Sequence, residues 1–266
     1  MTGMTDLSRP RSPLAAGSDR FEDAPRRALP AGALAPILEA HELYVQSAKR
    51  SGERAQLNSC DLRGRDFGGR KLWRVRMRRA DLARANFAAS DLRRALLIGA
   101  KLQGACLAAA DLTRARLSGV DLTDGDCEGA CFAEAELEFA IMAKAGCRAA
   151  DFHDADLSGA VLDGADLSRA DLRRANLRGA SLRGARLDRA DLRGARLGGA
   201  VLTRTSFAGA DLRGAYLRVA SFDRTDLTGA DLRQAVGLTR AQLKNAICDA
   251  ATRLPEGLGK AAGHGE

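Results

Sequence analysis

Hydrophobic residues recur at every fifth position of this chain from residue 57 to residue 232. These 36 positions, which we call centres, hold 26 Leu, six Phe, two Met and two Cys. The residue two before each centre is usually small, and it is Ala in 27 of the 36 units. Residues 80–84 read ADLAR and show the unit, which can be written A-(D/N)-L-x-x. A fixed period is the signature of a repeat architecture and takes precedence over local propensity.

The period of five excludes the two commonest secondary structures. It matches neither an amphipathic helix nor an alternating strand. A helix with Leu every five residues would advance ~500° per unit, so its apolar residues would spiral around all of its sides. A chain that turns a corner every five residues fits instead, with the centre and the residue two before it pointing inward. Stacked coils of this kind bury a Leu column and an Ala column that no single coil can bury.

The unit resembles that of the pentapeptide repeat family, and the 36 consecutive units cover about two thirds of the chain. The resemblance implies a right-handed quadrilateral β-helix with four units per coil. The chain would then be an all-β solenoid of about nine coils with short helical caps at both ends. At an inter-strand spacing of ~4.8 Å, nine coils would form a rod roughly 43 Å long.

The regions outside the repeats complete the predicted domain organisation. Residues 1–33 are rich in Pro, Ser, Gly and Arg, which favours disorder. Residues 34–54 should form an N-terminal cap, with a helix over 36–48 that has Pro36 at its first position. The repeats occupy 55–235, and 236–266 should form a second cap helix, from near Thr239 towards Ala250, and a tail. Caps are expected because open solenoid ends expose unpaired strand edges.

Two local departures from regularity are predicted. Fifteen of the positions two after a centre, which we call corners, are Gly, and this suits positive φ angles. The other corners are often Arg, which predicts a second turn type there. Arg65 and Arg70 occupy inward positions that should be small, so we expect an irregular first coil.

Composition narrows the class of protein. The chain has 42 Lys and Arg against 34 Asp and Glu, a formal net charge of +8. Six Cys in a chain without secretory features argue for free thiols, and Cys127 and Cys147 should stack inside. No apolar run approaches the ~20 residues that span a membrane, and no signal peptide opens the chain, so we expect a cytoplasmic protein.

Catalytic chemistry is not predicted. Catalysis needs a pocket with convergent polar groups, which a rod with four flat faces and no inserted loop does not provide. We therefore expect a non-enzymatic protein with no catalytic residue, no cofactor and no metal. His153 lies among Asp151 and Asp154 and could form a metal or acid–base cluster, but a solvated face is the favoured interpretation.

Folding the sequence by twenty residues places an Asp column beside an Arg column on one face. This face has its centres at 72, 92 and every twentieth residue to 232, and we call it the ladder face. The columns nearly cancel in charge, and each exposed pair contributes only ~0.2–1 kcal/mol. A solubilising ladder of salt bridges is the favoured interpretation.

A second face, with centres at 57, 77 and every twentieth residue to 217, has the largest positive excess, and we call it the basic face. Its acids are Glu136, Glu138 and Asp156. Its candidate contact residues, with the adjoining Ile141, are Arg76, Arg78, Arg79, Leu96, Ile98, Arg116, Phe139, Ile141, Arg178, Arg196, Tyr216 and Arg218. Val219 is a further outward apolar residue here. Apolar surface on a soluble rod often marks a contact site, although degeneration of the repeat without function is the alternative.

The predicted function is a rigid protein-interaction scaffold whose basic face contacts an unidentified protein with an acidic surface. The resemblance implies two further possibilities: a homodimer through the C-terminal end, and protection of DNA gyrase from quinolones by imitation of duplex DNA. Imitation of a polyanion by a net positive chain has the wrong electrostatic sign. Direct nucleic-acid binding fits the sign, but acids dilute the bases and aromatic stacking residues are scarce.

Overall fold

The computed structural model describes residues 28–30 and 32–258. Most of the predicted disordered segment and the end of the predicted tail lie outside these residues. The β structure consists of single-residue parallel bridges between coils. The residue before each centre is bridged to the residue twenty positions later, without interruption from Gln56↔Arg76 to Tyr216↔Val236. Parallel bridges at a constant offset define a solenoid whose coils stack in register.

The centres form one continuous core. All 36 centres are buried, and none is more than 2% exposed. Phe rings stack between successive coils, with centroids 4.7 Å apart for Phe67 and Phe87. Cys127 and Cys147 are buried free thiols, as predicted. The predicted inward assignment of the centres is therefore confirmed, and it sets which residues of each unit face outward.

The hydrogen bonds explain why Asp or Asn precedes the centre. In the unit around Leu172, the N–H groups of residues 170, 171, 172 and 174 all donate to backbone carbonyls at 2.7–3.0 Å. The N–H of Arg173 has no backbone acceptor and donates to Oδ1 of Asp171 at 3.0 Å. The same side-chain bond occurs in all 17 repeat units with Asp or Asn at this position. The acid therefore completes the backbone hydrogen bonding of its own unit.

The corners do not divide into two classes by φ. All 36 corner residues have positive φ angles between 52° and 69°, and 21 of them are not Gly. Arg84 at 58° and Gly104 at 63° are examples of the two residue types. A separate conformation at the Arg corners, which we expected from the sequence, is not visible in φ. The left-handed conformation costs a residue with a Cβ about 1–2 kcal/mol, so the stacked core must offset this strain at many corners.

The first coil is regular, and the expected irregularity is wrong. Its residues make the same bridges and corner hydrogen bonds as the later coils. Arg65 is exposed, and Arg70 is half-buried with its Nη1 2.9 Å from Oε1 of Glu42. Within residues 28–30 and 32–258, no coil lies on the N-terminal side of Arg65 and Arg70, so their long side chains leave the core through that end without disturbing the backbone.

Helix α1 spans Leu34–Gln46 and packs on the first coil. It begins two residues before the predicted start, because Pro36 is accommodated within the first turn, where an N–H has no acceptor inside the helix. Leu38 is 2% exposed and joins the core of the repeats. The N–H of Ala55 donates to Nδ1 of the buried His41 at 3.1 Å. None of the helices in the described part of the chain is long and apolar enough to cross a membrane.

Helix α2 spans only Arg240–Leu243. Oγ1 of Thr239 accepts the N–H of Gln242, and Oε1 of Gln242 accepts the backbone N–H of Thr239. The prediction that this helix runs towards Ala250 is wrong. Ile247 and Arg253 instead bridge to Asp226 and Asp231, at offsets of 21 and 22 residues. The chain therefore forms an additional irregular coil after the last repeat, in which α2 replaces one unit.

The irregular coil covers part of the surface that we considered for dimerisation. Ala246 is 3% exposed, and Leu243 packs against the core of its own chain. Val236 and Ile247 remain about half exposed, at 52% and 48%. A dimer through this end stays a prediction, with Val236 and Ile247 as its available apolar side chains.

Candidate functional site

The stacking of coils places the predicted contact residues in columns along the basic face. After Gln56, the column before the centres contains Arg76, Leu96 and Arg116 and continues through the acids Glu136 and Asp156. It ends with Arg196 and Tyr216. Arg78, Ile98, Arg178 and Arg218 follow the centres of the same coils, and Arg79 and Phe139 lie at their corners. Ile141 lies in the neighbouring column, bridged to Asp121 and Val161. The basic face thus has two basic zones separated by acidic coils, rather than one basic surface.

The N-terminal zone of the basic face contains an uncompensated group of arginines. Arg54, Arg74, Arg76 and Arg78 have no ion pair within 4.0 Å in the described part of the chain. The pKa of Arg54 is lowered by its burial and by the charges of Arg76, Arg74 and Arg78. Arg76 has a buried Nε without an acceptor, and among the described residues its guanidinium donates only to Oε1 of Gln56, at 3.4 Å. An anionic group placed here would relieve this mutual repulsion.

A shallow recess opens within the same zone. It has a volume of about 430 Å³ and is lined by Asn58, Ser59, Arg78, Arg79, Ile98 and Arg116. Basic and apolar side chains therefore meet in it, which suits contact with a surface that carries carboxylates beside apolar groups.

Sequence reasoning missed part of this zone. Arg54 precedes the first unit, and Arg74 is the corner that leads into the basic face, so neither belongs to the columns from which the face was defined. Lys49 Nζ and Arg74 Cζ lie 5.1 Å and 5.2 Å from the ring centroid of Trp73. The corner position of Arg74 was the signal that could have assigned it to the basic face, because a corner residue is shared by two adjacent faces.

The middle of the basic face is acidic and partly neutralised. Nε of Arg116 lies 2.5 Å from Oε2 of Glu136, so this base is already paired. Phe139 is 68% exposed at a corner. Its ring covers Gly159, where a Cβ would approach the ring to 2.7 Å. This part of the predicted face offers an aromatic side chain but little free positive charge.

The ladder face contains the ion pairs that the Asp and Arg columns predict. Arg173, Arg193, Arg213 and Arg233 each bond the Asp two residues earlier through Nη2, at 2.5–2.6 Å. The first three also approach the Asp of the following coil, at 3.8–4.0 Å. The hydrogen bond from Arg233 lowers the pKa of Asp231, and the same bond raises the pKa of Arg233. The charges on this face are thus largely satisfied within the protein.

The ladder is interrupted at His153. Its Nδ1 lies 2.7 Å from Oδ1 of Asp151. The structure does not bring Asp154 into this group, because Asp154 pairs with Arg174 in the next coil. Asp171 of the next coil lies beside His153 and Asp151 instead. The sequence therefore identified two of the three members of this cluster.

Comparisons with known proteins agree with the solenoid. The family model described as "Pentapeptide repeats" matches in eight copies, over residues 60–97, 76–114, 100–138, 130–169, 150–189, 185–218 and 200–236. A comparison with curated protein sequences gives no match.

Solved structures show the same similarity. HetL from the cyanobacterium Nostoc sp. strain PCC 7120, a pentapeptide repeat protein involved in heterocyst differentiation regulation, is 28% identical. The match has a TM-score of 0.57 and covers 82% of this chain and 96% of HetL. QnrB1, a plasmid-mediated fluoroquinolone resistance protein, is 20% identical over 65% of this chain and 86% of its own, with a TM-score of 0.36. A pentapeptide repeat protein from the Arabidopsis thaliana thylakoid lumen is 30% identical over 44% of this chain and 68% of its own, with a TM-score of 0.31.

Proposed function

Because the chain belongs to the pentapeptide repeat family, whose members are generally non-enzymatic, we propose that it is a rigid interaction scaffold. It binds a protein with an acidic surface, and the N-terminal zone of the basic face makes the contact. The family is shown by repeats that match from residue 60 to residue 236. The proposed location of the contact is based on the arginine side chains of this zone that have no ion pair.

One observation carries the proposal: Arg54, Arg74, Arg76 and Arg78 of the N-terminal zone lack, among the described residues, the carboxylates that satisfy the ladder face. Arg193 is held by Asp191, whereas Arg76 and Arg78 have no ion pair with any described residue. Unpaired guanidinium groups attract and orient an acidic partner, and their planar geometry suits carboxylates. The candidate residues Arg178, Arg196 and Arg218 form a weaker second contact zone, because they are spread over three coils.

Rigidity supports a scaffold role. The bridged coils hold the outward side chains at constant spacing, so the protein changes little in shape on binding. A preformed surface loses less conformational entropy on association than a flexible one.

Gyrase protection is the alternative that the family suggests, and charge argues against it. A substitute for duplex DNA must present a continuous acidic surface, but this chain carries +8 overall and its ladder face is nearly neutral. The likeness to QnrB1 extends only to the fold. Direct nucleic-acid binding agrees with the sign of the charge and is included as an outcome of the test.

The test reverses the charge of three arginines in the N-terminal zone. The second contact zone, with Arg178, Arg196 and Arg218, provides the matched control. Arg76→Glu, Arg78→Glu and Arg79→Glu together should abolish capture of an acidic protein from native cytoplasm, with a melting temperature close to that of the wild type. Arg178→Glu, Arg196→Glu and Arg218→Glu change the charge equally and should retain most of the binding. Salt should weaken the wild-type complex, because exposed charges are screened within ~8–10 Å.

Three other outcomes contradict the proposal. If the N-terminal triple variant captures the acidic protein as well as the control variant and the wild type do, the N-terminal zone is only a solvated surface. Retention of the wild type on duplex DNA at low salt, lost in the N-terminal variant, would identify a nucleic-acid-binding protein. Preservation of gyrase supercoiling by the wild type in the presence of a quinolone would identify a protection protein.

A further inference from the structure

The interruption of the ladder face changes its chemistry at one place. In the coil with centre Phe152, His153 occupies the position that holds Arg in the four following coils. Asp151 therefore bonds an imidazole where the later aspartates bond a guanidinium. The preceding coil lacks a guanidinium here as well, because Ala133 occupies the corresponding position and is only 3% exposed.

Three donor groups converge at this interruption. Nδ1 of His153 and Oδ1 of Asp151 are 2.7 Å apart. Ligand atoms of Asp151, His153 and Asp171 all lie within 4.8 Å of one another. In a tetrahedral zinc site, metal–ligand distances of about 2.0–2.2 Å put neighbouring donors roughly 3.3–3.5 Å apart. Small side-chain rotations are therefore enough to bring the three donors onto one ion.

Neighbouring groups already orient the two carboxylates. The backbone N–H of His153 donates to Oδ1 of Asp151 at 3.0 Å. Nε of Arg173 donates to the carboxylate of Asp171 at 2.8 Å. Groups that hold a ligand in place from outside the coordination sphere are a regular part of metal sites. Asp151 retains lone pairs on Oδ2 for an ion, because a carboxylate offers about four acceptor sites. The carboxylate of Asp171 already accepts the backbone N–H, Nε and Nη2 of Arg173, so an ion must displace part of this guanidinium contact.

We propose that Asp151, His153 and Asp171 bind a divalent transition-metal ion on the ladder face. One imidazole and two carboxylates suit Zn²⁺, and water would complete the coordination. Asp151 and Asp171 belong to successive coils, so the ion links these coils through side chains in addition to their backbone bridge. The site is independent of the proposed contact on the basic face.

Titration of the metal-free, untagged full chain with ZnCl₂ by isothermal calorimetry tests the proposal. The wild type should bind one equivalent at micromolar concentration. His153→Arg is the decisive variant, because it restores the residue that the ladder carries at 173, 193, 213 and 233 and should therefore fold. It should lose zinc affinity by at least ~10–100-fold. Asp151→Asn should lower the affinity as well.

Two matched controls separate this site from other ligands in the chain. Asp211→Asn removes a ladder carboxylate outside the cluster and should leave zinc binding unchanged. Cys131→Ala should also leave it unchanged, although Cys131 Sγ lies 3.9 Å from Oδ2 of Asp151. Zinc should raise the melting temperature of the wild type but not of His153→Arg, since a ligand stabilises only the fold that binds it.

Equal zinc affinity in the wild type and in His153→Arg would overturn the proposal, as would the absence of a one-equivalent isotherm in the wild type. Loss of binding in Cys131→Ala with retention in His153→Arg would assign the ion to a thiol instead.

Discussion

The ladder face and the basic face share one core and one backbone, but they use their arginines differently. On the ladder face, Asp191 accepts the backbone N–H of Arg193 at 3.1 Å and its guanidinium Nη2 at 2.6 Å. On the basic face, Arg76 takes the place of the acid, and the N–H of Arg78 donates to Oδ1 of Asn58 in the preceding coil at 2.9 Å. The guanidinium of Arg78 then has no carboxylate beside it. In these two units, the residue before the centre thus decides whether the arginine after the centre is paired.

This difference separates structural charge from available charge. An acid that completes the backbone hydrogen bonding of its unit is already positioned for the next guanidinium, so the pair needs little further ordering. An arginine that has no acid beside it, such as Arg78, is available for an ion pair with a partner. Counting bases over a whole face, as the sequence allows, overstates the available charge because Arg116 is already neutralised by Glu136.

The largest expected effect concerns the core beneath both faces. Leu172→Asp should unfold several coils, because it buries an unpaired carboxylate between Phe152 and Leu192, its neighbours in the same column. Arg173→Ala, one residue later, should leave the free energy of unfolding nearly unchanged in the metal-free protein. Urea titration followed by circular dichroism measures both, and comparable losses would show that the inward and outward assignment is wrong.

The second prediction divides the roles of the ladder acid. Asp191→Ala removes the acceptor of the Arg193 N–H and should cost about 1 kcal/mol of the free energy of unfolding. Asp191→Asn keeps an acceptor oxygen and loses only the charge, so it should cost less than ~0.5 kcal/mol. Arg193→Ala should leave the free energy of unfolding nearly unchanged. Thermal melts of the three variants give the order. If Asp191→Asn is as destabilising as Asp191→Ala, the ion pair and not the backbone bond is what the acid contributes.

The smallest expected effect is a pH dependence at the N-terminal end. Burial of His41 lowers its pKa, and the positive charge of Arg54 lowers it further. The unfolded chain takes up a proton below about pH 6.5, where folded His41 still resists it. Stability from this residue is therefore present above pH 6.5 and is lost as the pH falls.

Melting temperatures at pH 7.5 and 5.5 measure this effect. His41→Asn keeps an acceptor for the Ala55 N–H and should show a smaller decrease between the two pH values than the wild type. Arg54→Gln should reduce the decrease partly, because it removes one source of repulsion in the N-terminal zone. An identical decrease in the wild type and in both variants would assign the pH dependence to the carboxylates.

The repeat core was predictable, whereas its exceptions were not. The inward positions of the centres follow from the period alone, because any fold with one corner per unit buries the same residue. The first coil was mispredicted because the period alone places Arg65 inside, whereas the open end gives its side chain a route to solvent. The extra coil with Ile247 and Arg253 was missed because α2 interrupts the period, and a six-residue interval carries no signal in a five-residue pattern.

For the candidate site, the sequence predicted only the columns in which its residues lie. The sequence placed Arg76, Leu96 and Arg116 on one face because an offset of twenty follows from four units per coil. It did not add Arg54 and Arg74 to this zone, since these residues reach it from the chain before the first coil and from a corner. It also grouped His153 with Asp154 and not with Asp171, because the columns show which residues are neighbours but not which carboxylates approach the imidazole.

The amino-acid sequence by itself determined the solenoid, its core and the columns of outward residues, because a five-residue period with one large and one small apolar position leaves a single inward pattern. The tertiary structure alone decided which charged side chains are paired within the protein. Pairing of Asp191 with Arg193, repulsion among Arg54, Arg76 and Arg78, and convergence of Asp151, His153 and Asp171 depend on distances of a few ångströms between coils. Those distances arise when coils stack, and a linear pattern specifies which residues are neighbours but not which of their atoms meet.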